Sequence, residues 1–221
     1  YLSPMAKKLF LLDAYALVYR AHFVFIRNPR RTTTGMNTSA IYGFVNSLVE
    51  VLNKEKPDYL GVAFDVSAPT FRHEMYEAYK AQREETPEDI QLAIPIIKRL
   101  LEAMNIPMLE KEGFEADDVI GTLAWQAADA GVDAYMLTPD KDYAQLVKDQ
   151  VFMYRPKSRG SGHEVYDVEK VKEKMGVRPD QVADYLGLKG DSVDNIPGVP
   201  KVGEKTAISL LEEFDSMEPV I

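Results

Sequence analysis

Short apolar runs alternate with longer amphipathic segments along most of this chain, and that alternation limits the folds open to it more than any other feature. Leu9–Leu12, Tyr59–Phe64, Ile106–Leu109, Val132–Leu137 and Val151–Tyr154 read as strands. The unbroken apolar run Leu9–Leu12 suits a strand covered on both faces. Between them lie helical segments: Tyr15–Phe25, a helix capped by Thr38-Ser39 and running to about Lys54, one opened by Thr86-Pro87-Glu88-Asp89 and running to about Met104, and Glu115–Ala130, closed by Gly131. Strand–helix–strand order predicts right-handed crossovers and a mostly parallel sheet with helices on both faces. From Asp167 onward, short helices with Gly/Pro punctuation predict a small helical subdomain. The expected organisation is a leader or tag remnant over residues 1–7, an α/β core over 8–166 with a strand-free polar stretch at about 67–90, and a helical part over 167–221. Because the chain stops soon after a helix at Glu204–Glu213, it reads as a piece of a longer protein.

A length of 221 residues suits one sizeable domain with a small appendage. No apolar run of about 18 residues occurs, so no helical membrane span is expected, and no secretory signal is visible. A cytoplasmic location is the expectation. With no cysteine in the chain, thiol catalysis, zinc–thiolate sites and iron–sulfur clusters are excluded. The formal net charge of −9 argues, taken alone, against a nucleic-acid partner.

The position of the acids reverses that argument. Asp13 follows the first apolar run, Asp65 the second, and Asp140 and Asp142 the fourth, which are the strand ends where parallel α/β folds place ligands. Glu115, Asp117 and Asp118 open the helix after the third run. One Asp after a strand is usually a turn or cap residue. Here eight acids face two bases between Gly113 and Asp149, and clustered carboxylates repel unless protonated or neutralised by cations. Asp191 and Asp194 add an i,i+3 pair that would share one side of a helical turn. Hard divalent ions suit oxygen ligands, and this many acids fits two ions about 3.5–4 Å apart. Such a site performs in-line attack on a phosphodiester.

Basic residues flank the acids. Arg72, Tyr76, Tyr79, Lys80 and Arg83 recur every three or four positions between Phe71 and Arg83, so they would share a face if the segment is helical. There they would grip phosphates and stack on bases. Arg20, Arg27, Arg30 and Arg31 form a stretch without acids, and Arg155, Lys157 and Arg159 a second basic loop. Gly198, Val199, Gly203, Lys205 and Thr206 lie in a Gly/Pro loop that opens a helix and could admit an anion close to the backbone. Glu204 after Gly203 breaks the Gly-Lys-Ser/Thr ending of a nucleotide-triphosphate loop, so a DNA-backbone clamp is the better reading.

Taken together, these motifs resemble the 5′–3′ exonuclease and flap-endonuclease family, in the form of the 5′-nuclease domain of bacterial DNA polymerase I. The resemblance rests on Leu11-Leu12-Asp13, Phe64-Asp65, Phe71-Arg72-His73-Glu74 with Tyr79-Lys80-Ala81-Gln82-Arg83, Glu115-Ala116-Asp117-Asp118-Val119-Ile120, Thr138-Pro139-Asp140-Lys141-Asp142 and Gly190 to Val199. It implies a PIN-like or resolvase-like α/β fold, a helical arch at about 67–90 and a helix-hairpin-helix at about 190–213. It implies Asp13, Asp65, Glu115, Asp117 and Asp118 around a first Mg²⁺, and Asp140, Asp142, Asp191 and Asp194 around a second, with Mn²⁺ able to substitute and some ligands acting through water. Lys80 and Arg83 match bases at the scissile phosphate. Arg20, Arg72, Tyr76 and Tyr79 are further candidate DNA contacts, and the hairpin would hold K⁺. The implied substrates are DNA with a 5′ flap, nick or free 5′ end and RNA–DNA primers. The implied setting is a monomer in the bacterial cytoplasm, associated with the nucleoid, with a polymerase domain in cis.

Three alternatives stay open: a stand-alone 5′–3′ exonuclease, a truncated DNA-binding module, and an aspartyl-phosphate phosphatase with Asp13 as nucleophile. The last is opposed by Tyr15, where such an enzyme places a second Asp. Nine of the 35 acids are then ligand candidates, and the others equal the 26 bases in number.

Overall fold

In a computed structural model of the chain, the described residues are 6–157 and 162–220. Most of the expected leader and Arg159 of the second basic loop lie outside them. Lys7, assigned to the leader, already accepts a hydrogen bond from the Asp133 N–H at 2.9 Å, so sheet bonding begins just before the first strand.

Six strands form one sheet: β1 (Lys8–Asp13), β2 (Tyr59–Ala63), β3 (Met108–Leu109), β4 (Asp133–Leu137), β5 (Val151–Pro156) and β6 (His163–Tyr166). Their order is β3-β2-β1-β4-β5-β6, and every pairing is parallel except β5–β6. The mostly parallel sheet flanked by helices is therefore as the alternation predicted. Two strands differ in detail. Pro107 has no N–H to donate, and β3 shrinks to two residues instead of the expected run from Ile106. The unpredicted β6 is a four-residue edge strand whose Val165 points to solvent, so it carries no buried apolar run for a pattern to find.

Side-chain alternation divides the central strand between two cores. Leu11 packs with Ala63, Met136 and the helix α5 (Ala116–Asp129), while Phe10 and Leu12 pack with α1 (Ala14–Phe25), α2 (Ser39–Glu50) and α4 (Glu88–Ala103). After α2 the chain makes one π-helical turn, Val51–Glu55. A short helix α3 (Phe71–Met75) starts the segment expected to be the arch. The α5-side core continues into the C-terminal helices α6 (Val168–Met175), α7 (Val182–Lys189) and α8 (Glu204–Phe214) through Val171, Val182, Leu188, Ala207 and Leu211. The helical part is thus bonded to the sheet by shared apolar burial.

The topology switches direction between β1 and β4, because β2 lies on one side of β1 and β4 on the other. The carboxyl ends of these strands open a crevice there. The loop between α7 and α8 is drawn tight against α7. Asp191 and Ile196 exchange backbone hydrogen bonds at 2.9 and 2.8 Å, and Val199 N–H bonds Leu188 O at 2.8 Å. Gly198 crosses α7's end so closely that a Cβ there would collide with main-chain atoms of Lys189 and Gly190. Gly198→Ala is therefore expected to destabilise the chain by about 1–3 kcal/mol, seen as a lower melting temperature and faster exchange of the Asp191 amide. An unchanged melt would show that the hairpin does not need this crossing.

Candidate active site

The candidate ligands arrive from five places: the ends of β1, β2 and β4, the start of α5, and the loop between α7 and α8. Asp13 ends β1 and caps α1: its Oδ1 accepts from Ala16 N–H at 3.0 Å, while Oδ2 accepts from the hydroxyls of Tyr143 at 3.0 Å and Thr138 at 3.3 Å. Asp65, just beyond β2, accepts from Ala116 N–H at 2.7 Å. It thereby ties the second strand's end to the first turn of α5. Glu115 is the N-cap of α5, and the Asp118 side chain accepts from its N–H at 3.0 Å in a capping box. Asp140 follows β4 and accepts from Asp142 N–H at 3.0 Å. A cleft of about 730 Å³ is lined by Asp13, Asp65, Glu115, Asp117 and Asp140 together with Lys80 and Arg83.

Burial sets the electrostatics. Loss of water pushes the Asp13 carboxyl up to about 7, against the Ala16 and Tyr143 hydrogen bonds and with added repulsion from Asp65 and Asp140. Burial likewise raises Asp65. It raises Asp117 to about 6 even though Arg72 stands nearby. Asp142 rises to about 7 through burial and then through the charge of Asp140. Asp118 goes the other way. Burial would raise it, but the two-pronged Arg72 bond at 2.7 and 2.9 Å and the Glu115 N–H outweigh that and lower it.

Cations stand among the acids. Lys80 Nζ is 2.9 Å from both Glu115 oxygens and 3.8 Å from Asp194. Arg83 bonds Asp194 at 3.1 Å. Lys141 bridges toward Asp142 at 3.8 Å and Asp191 at 3.6 Å. With these cations in place, no three acidic or imidazole side chains among the described residues are grouped to hold an ion. Two buried carboxylate oxygens nevertheless have no hydrogen-bond partner, Asp117 Oδ1 and Asp142 Oδ1. An orphaned anionic oxygen beside others of its kind costs free energy that a bound divalent ion would remove. The donor set of carboxylates without sulfur or imidazole is the one hard ions prefer. The residues present therefore fit divalent metal.

Several expectations need correction. The segment from Phe71 is helical only to Met75; Tyr76 is extended at φ −145°, and turns follow. Arg72, Tyr76, Tyr79, Lys80 and Arg83 therefore do not share a helix face. They converge instead because the turns fold over the acids, with Lys80 itself in the left-handed region at φ 55°. Tyr79 is buried and cannot stack on a base; its hydroxyl donates to Glu115 at 3.0 Å and Asp194 at 3.2 Å. Asp191 and Asp194 lie in a tight loop, not on a helical turn, and go to different partners: Asp191 to Val193 N–H at 2.8 Å, Asp194 to Tyr79 and Arg83. Tyr76 is partly exposed, and its hydroxyl donates to Asn195 O at 3.3 Å. Arg20 donates to Lys157 O at 2.9 Å and lines none of the crevice. Gly198 and Val199 use their close approach on α7, as described above. Gly203, the N-cap of α8, and Lys205 and Thr206 in its first turn are exposed.

Sequence reasoning missed Thr138 and Tyr143, which fix Asp13, and Gln82 and Asn195, which seal the turns to the hairpin. Gln82 donates to Ser192 O at 2.8 Å and Asn195 to Ala78 O at 2.7 Å. Tyr143 carried a signal in retrospect, since a tyrosine beside two strand-end acids needs a buried partner for its hydroxyl.

The family profile of the 5′–3′ exonuclease N-terminal resolvase-like domain matches residues 8–176, and that of the 5′–3′ exonuclease C-terminal SAM fold matches residues 177–221. A 5′–3′ exonuclease of Aquifex aeolicus is 42% identical over 97% of this chain and 72% of its own length. DNA polymerase I of Chloroflexus aurantiacus is 47% identical over 96% of this chain, which spans 23% of that protein. A solved structure of T5 5′-exonuclease with divalent zinc bound shares the fold at a TM-score of 0.77, with 21% identity over 97% of this chain and 78% of that one. Profile and relatives agree across nearly every residue, and the chain belongs to the 5′–3′ exonuclease family.

Proposed function

We propose that this chain hydrolyses phosphodiesters of DNA at 5′ flaps, nicks and free 5′ ends with the help of two divalent ions. The observation that carries the reading is the pair of buried oxygens without a hydrogen bond, Asp117 Oδ1 and Asp142 Oδ1, each with a cation only at 3.8–4.0 Å, the first of them in the crevice that Lys80 and Arg83 also line. Asp13, Asp65, Glu115, Asp117 and Asp118 would hold the first ion, and Asp140, Asp142, Asp191 and Asp194 the second. When bound, Mg²⁺, or Mn²⁺ in its place, would supply Lewis acidity toward the phosphate and an acidified water. Support comes from relatives and neighbours: the Aquifex protein is named a 5′–3′ exonuclease, the T5 enzyme was solved with metal, and a T5 flap endonuclease variant was solved with DNA and metal ions.

The chain's own groups then have defined tasks. Thr138, Tyr143 and Ala16 N–H hold Asp13 in one orientation, and Ala116 N–H does the same for Asp65. Once the carboxylates are neutralised, Lys80 and Arg83 turn their N–H groups to the non-bridging oxygens of the scissile phosphate, where negative charge grows as water adds to phosphorus and one P–O ester bond breaks. Tyr79 keeps Glu115 and Asp194 together beneath them. The α7–α8 hairpin would hold K⁺ at its carbonyls and dock a duplex phosphate, with Lys205 and Thr206 beside it. Tyr76 and Arg72, at the base of the folded-over turns, would meet the strand as it enters. In the full protein we place this unit ahead of a polymerase domain, removing RNA primers and damaged strands in the bacterial cytoplasm at the nucleoid, and working as a monomer.

Asp117→Asn and Asp142→Asn are each expected to lower Mg²⁺-dependent cleavage of a 5′-flap duplex by at least about 10²-fold while circular dichroism stays native; unchanged turnover in either would remove the metal assignment. For Lys80→Ala the expected loss is about 10²-fold in single-turnover rate with a small change in substrate binding, and an effect on binding alone would contradict the transition-state role. The Asp142 carboxyl, raised to about 7, favours the folded state fully below its ordinary value and loses that contribution as the pH rises through about 7. In EDTA, Asp142→Asn should therefore melt above the parent at pH 8 and lose this advantage toward pH 5, and Mg²⁺ should reverse the order at pH 8. A variant melting below the parent at pH 8 in EDTA would refute the raised carboxyl.

A further inference from the structure

A second cleft, of about 860 Å³, runs along the outward side of α5, and Asp117 and Tyr143 line both it and the acidic crevice. The two clefts therefore meet at the acid cluster. Three large aromatic side chains stand in the second one while still open to solvent: Phe71 at 39%, Phe114 at 43% and Trp125 at 45% exposure. None of them is loose. Phe71 leans on Phe114 with ring centres 5.8 Å apart and carries the Arg72 guanidinium 4.7 Å from its own centre. The Trp125 indole N–H donates to Leu146 O at 2.9 Å, and the Lys148 ammonium sits 4.5 Å from the ring centre. Rings that are exposed yet fixed in orientation have already lost most of the freedom that binding would take from them.

We propose that this cleft stacks the bases of an unpaired strand on one side of the scissile phosphate, while the acidic crevice takes the strand on the other side. The inference rests on the nuclease reading above and adds a subsite to it. Continuity decides the occupant: a strand with one phosphate at Asp117 has to leave through both clefts. Arg72 and Lys111 line the aromatic cleft together with Glu110, Asp117, Asp118 and Asp142, so the stacking rings carry the binding there and a phosphate enters once bound ions offset the acids. Stacking accepts any base, so the subsite gives strand-state selectivity and no sequence preference.

Trp125 is the chain's one tryptophan, which gives a readout independent of catalysis. A fluorescently labelled oligothymidylate is titrated onto the 221-residue chain in Ca²⁺, with binding followed by label anisotropy and the cleft by Trp125 emission. The expected result is saturable quenching that tracks anisotropy, with binding about tenfold weaker in Phe71→Ala and in Phe114→Ala and native circular dichroism in both. Strand binding that leaves Trp125 emission and both variants unaffected overturns the subsite. So does emission that follows protein concentration instead of strand, since the occupant is then a second copy. Flap cleavage is measured on the same protein preparations with Mg²⁺ in place of Ca²⁺: cleavage without any response in the cleft removes the subsite alone, whereas loss of both strand binding and cleavage removes the nuclease reading.

Discussion

Mutual repulsion among carboxylates that folding forces together governs this structure. The apolar strands β1, β2 and β4 must lie side by side to build the two cores, and doing so brings Asp13, Asp65 and Asp140 to one edge. The α5 capping box adds Glu115 and Asp118 from the fourth side. Water cannot relieve the repulsion, because Asp13, Glu115 and Asp191 are all buried. The chain answers with Arg72, Lys80 and Arg83 from elsewhere in its sequence, with Lys141 from between Asp140 and Asp142, and with neutral donors from Thr138, Tyr79 and Tyr143. Much of the polar structure at this end of the molecule follows from that requirement.

The same requirement joins the two parts of the protein. Lys80 and Arg83 reach the acids only because residues 76–83 turn down over the crevice, and those turns are held by the hairpin between α7 and α8. Lys80 N–H bonds Asp194 O at 3.1 Å, and Gln82, Tyr76 and Asn195 complete the seam. The hairpin is in turn fixed by the crossing of Gly198 over α7 and by the apolar core that α7 and α8 share with α5. Site geometry therefore depends on contacts between residues more than a hundred positions apart, from the turns at 76–83 to the loop between α7 and α8.

This long-range character separates what could be read in the sequence from what could not. Strands with unbroken apolar runs, such as Leu9–Leu12, were legible because burial on both faces leaves a pattern in neighbouring residues. So was the convergence of strand-end acids, since parallel topology alone puts Asp13, Asp65 and Asp140 together. The edge strand β6 was not, because half of it faces water. Nor was the path of residues 71–83: their three-to-four spacing fits a helix, but Lys80 and Asp194 draw the backbone into turns that no local pattern encodes. Tyr79 looked like a stacking residue for the same reason, whereas its hydroxyl is consumed by Glu115 and Asp194. The net charge of −9 misled as a total and informed as a distribution.

The central claim is that these carboxylates form a divalent-metal centre whose place is held by the chain's own cations. Anomalous diffraction from crystals grown with Mn²⁺ tests it most directly. The account predicts two peaks about 4 Å apart, one against Asp117 Oδ1 and one against Asp142 Oδ1, with the Lys80 ammonium displaced from Glu115. Mn²⁺ bound only at other acids, with the Lys80–Glu115 pair intact, would contradict it.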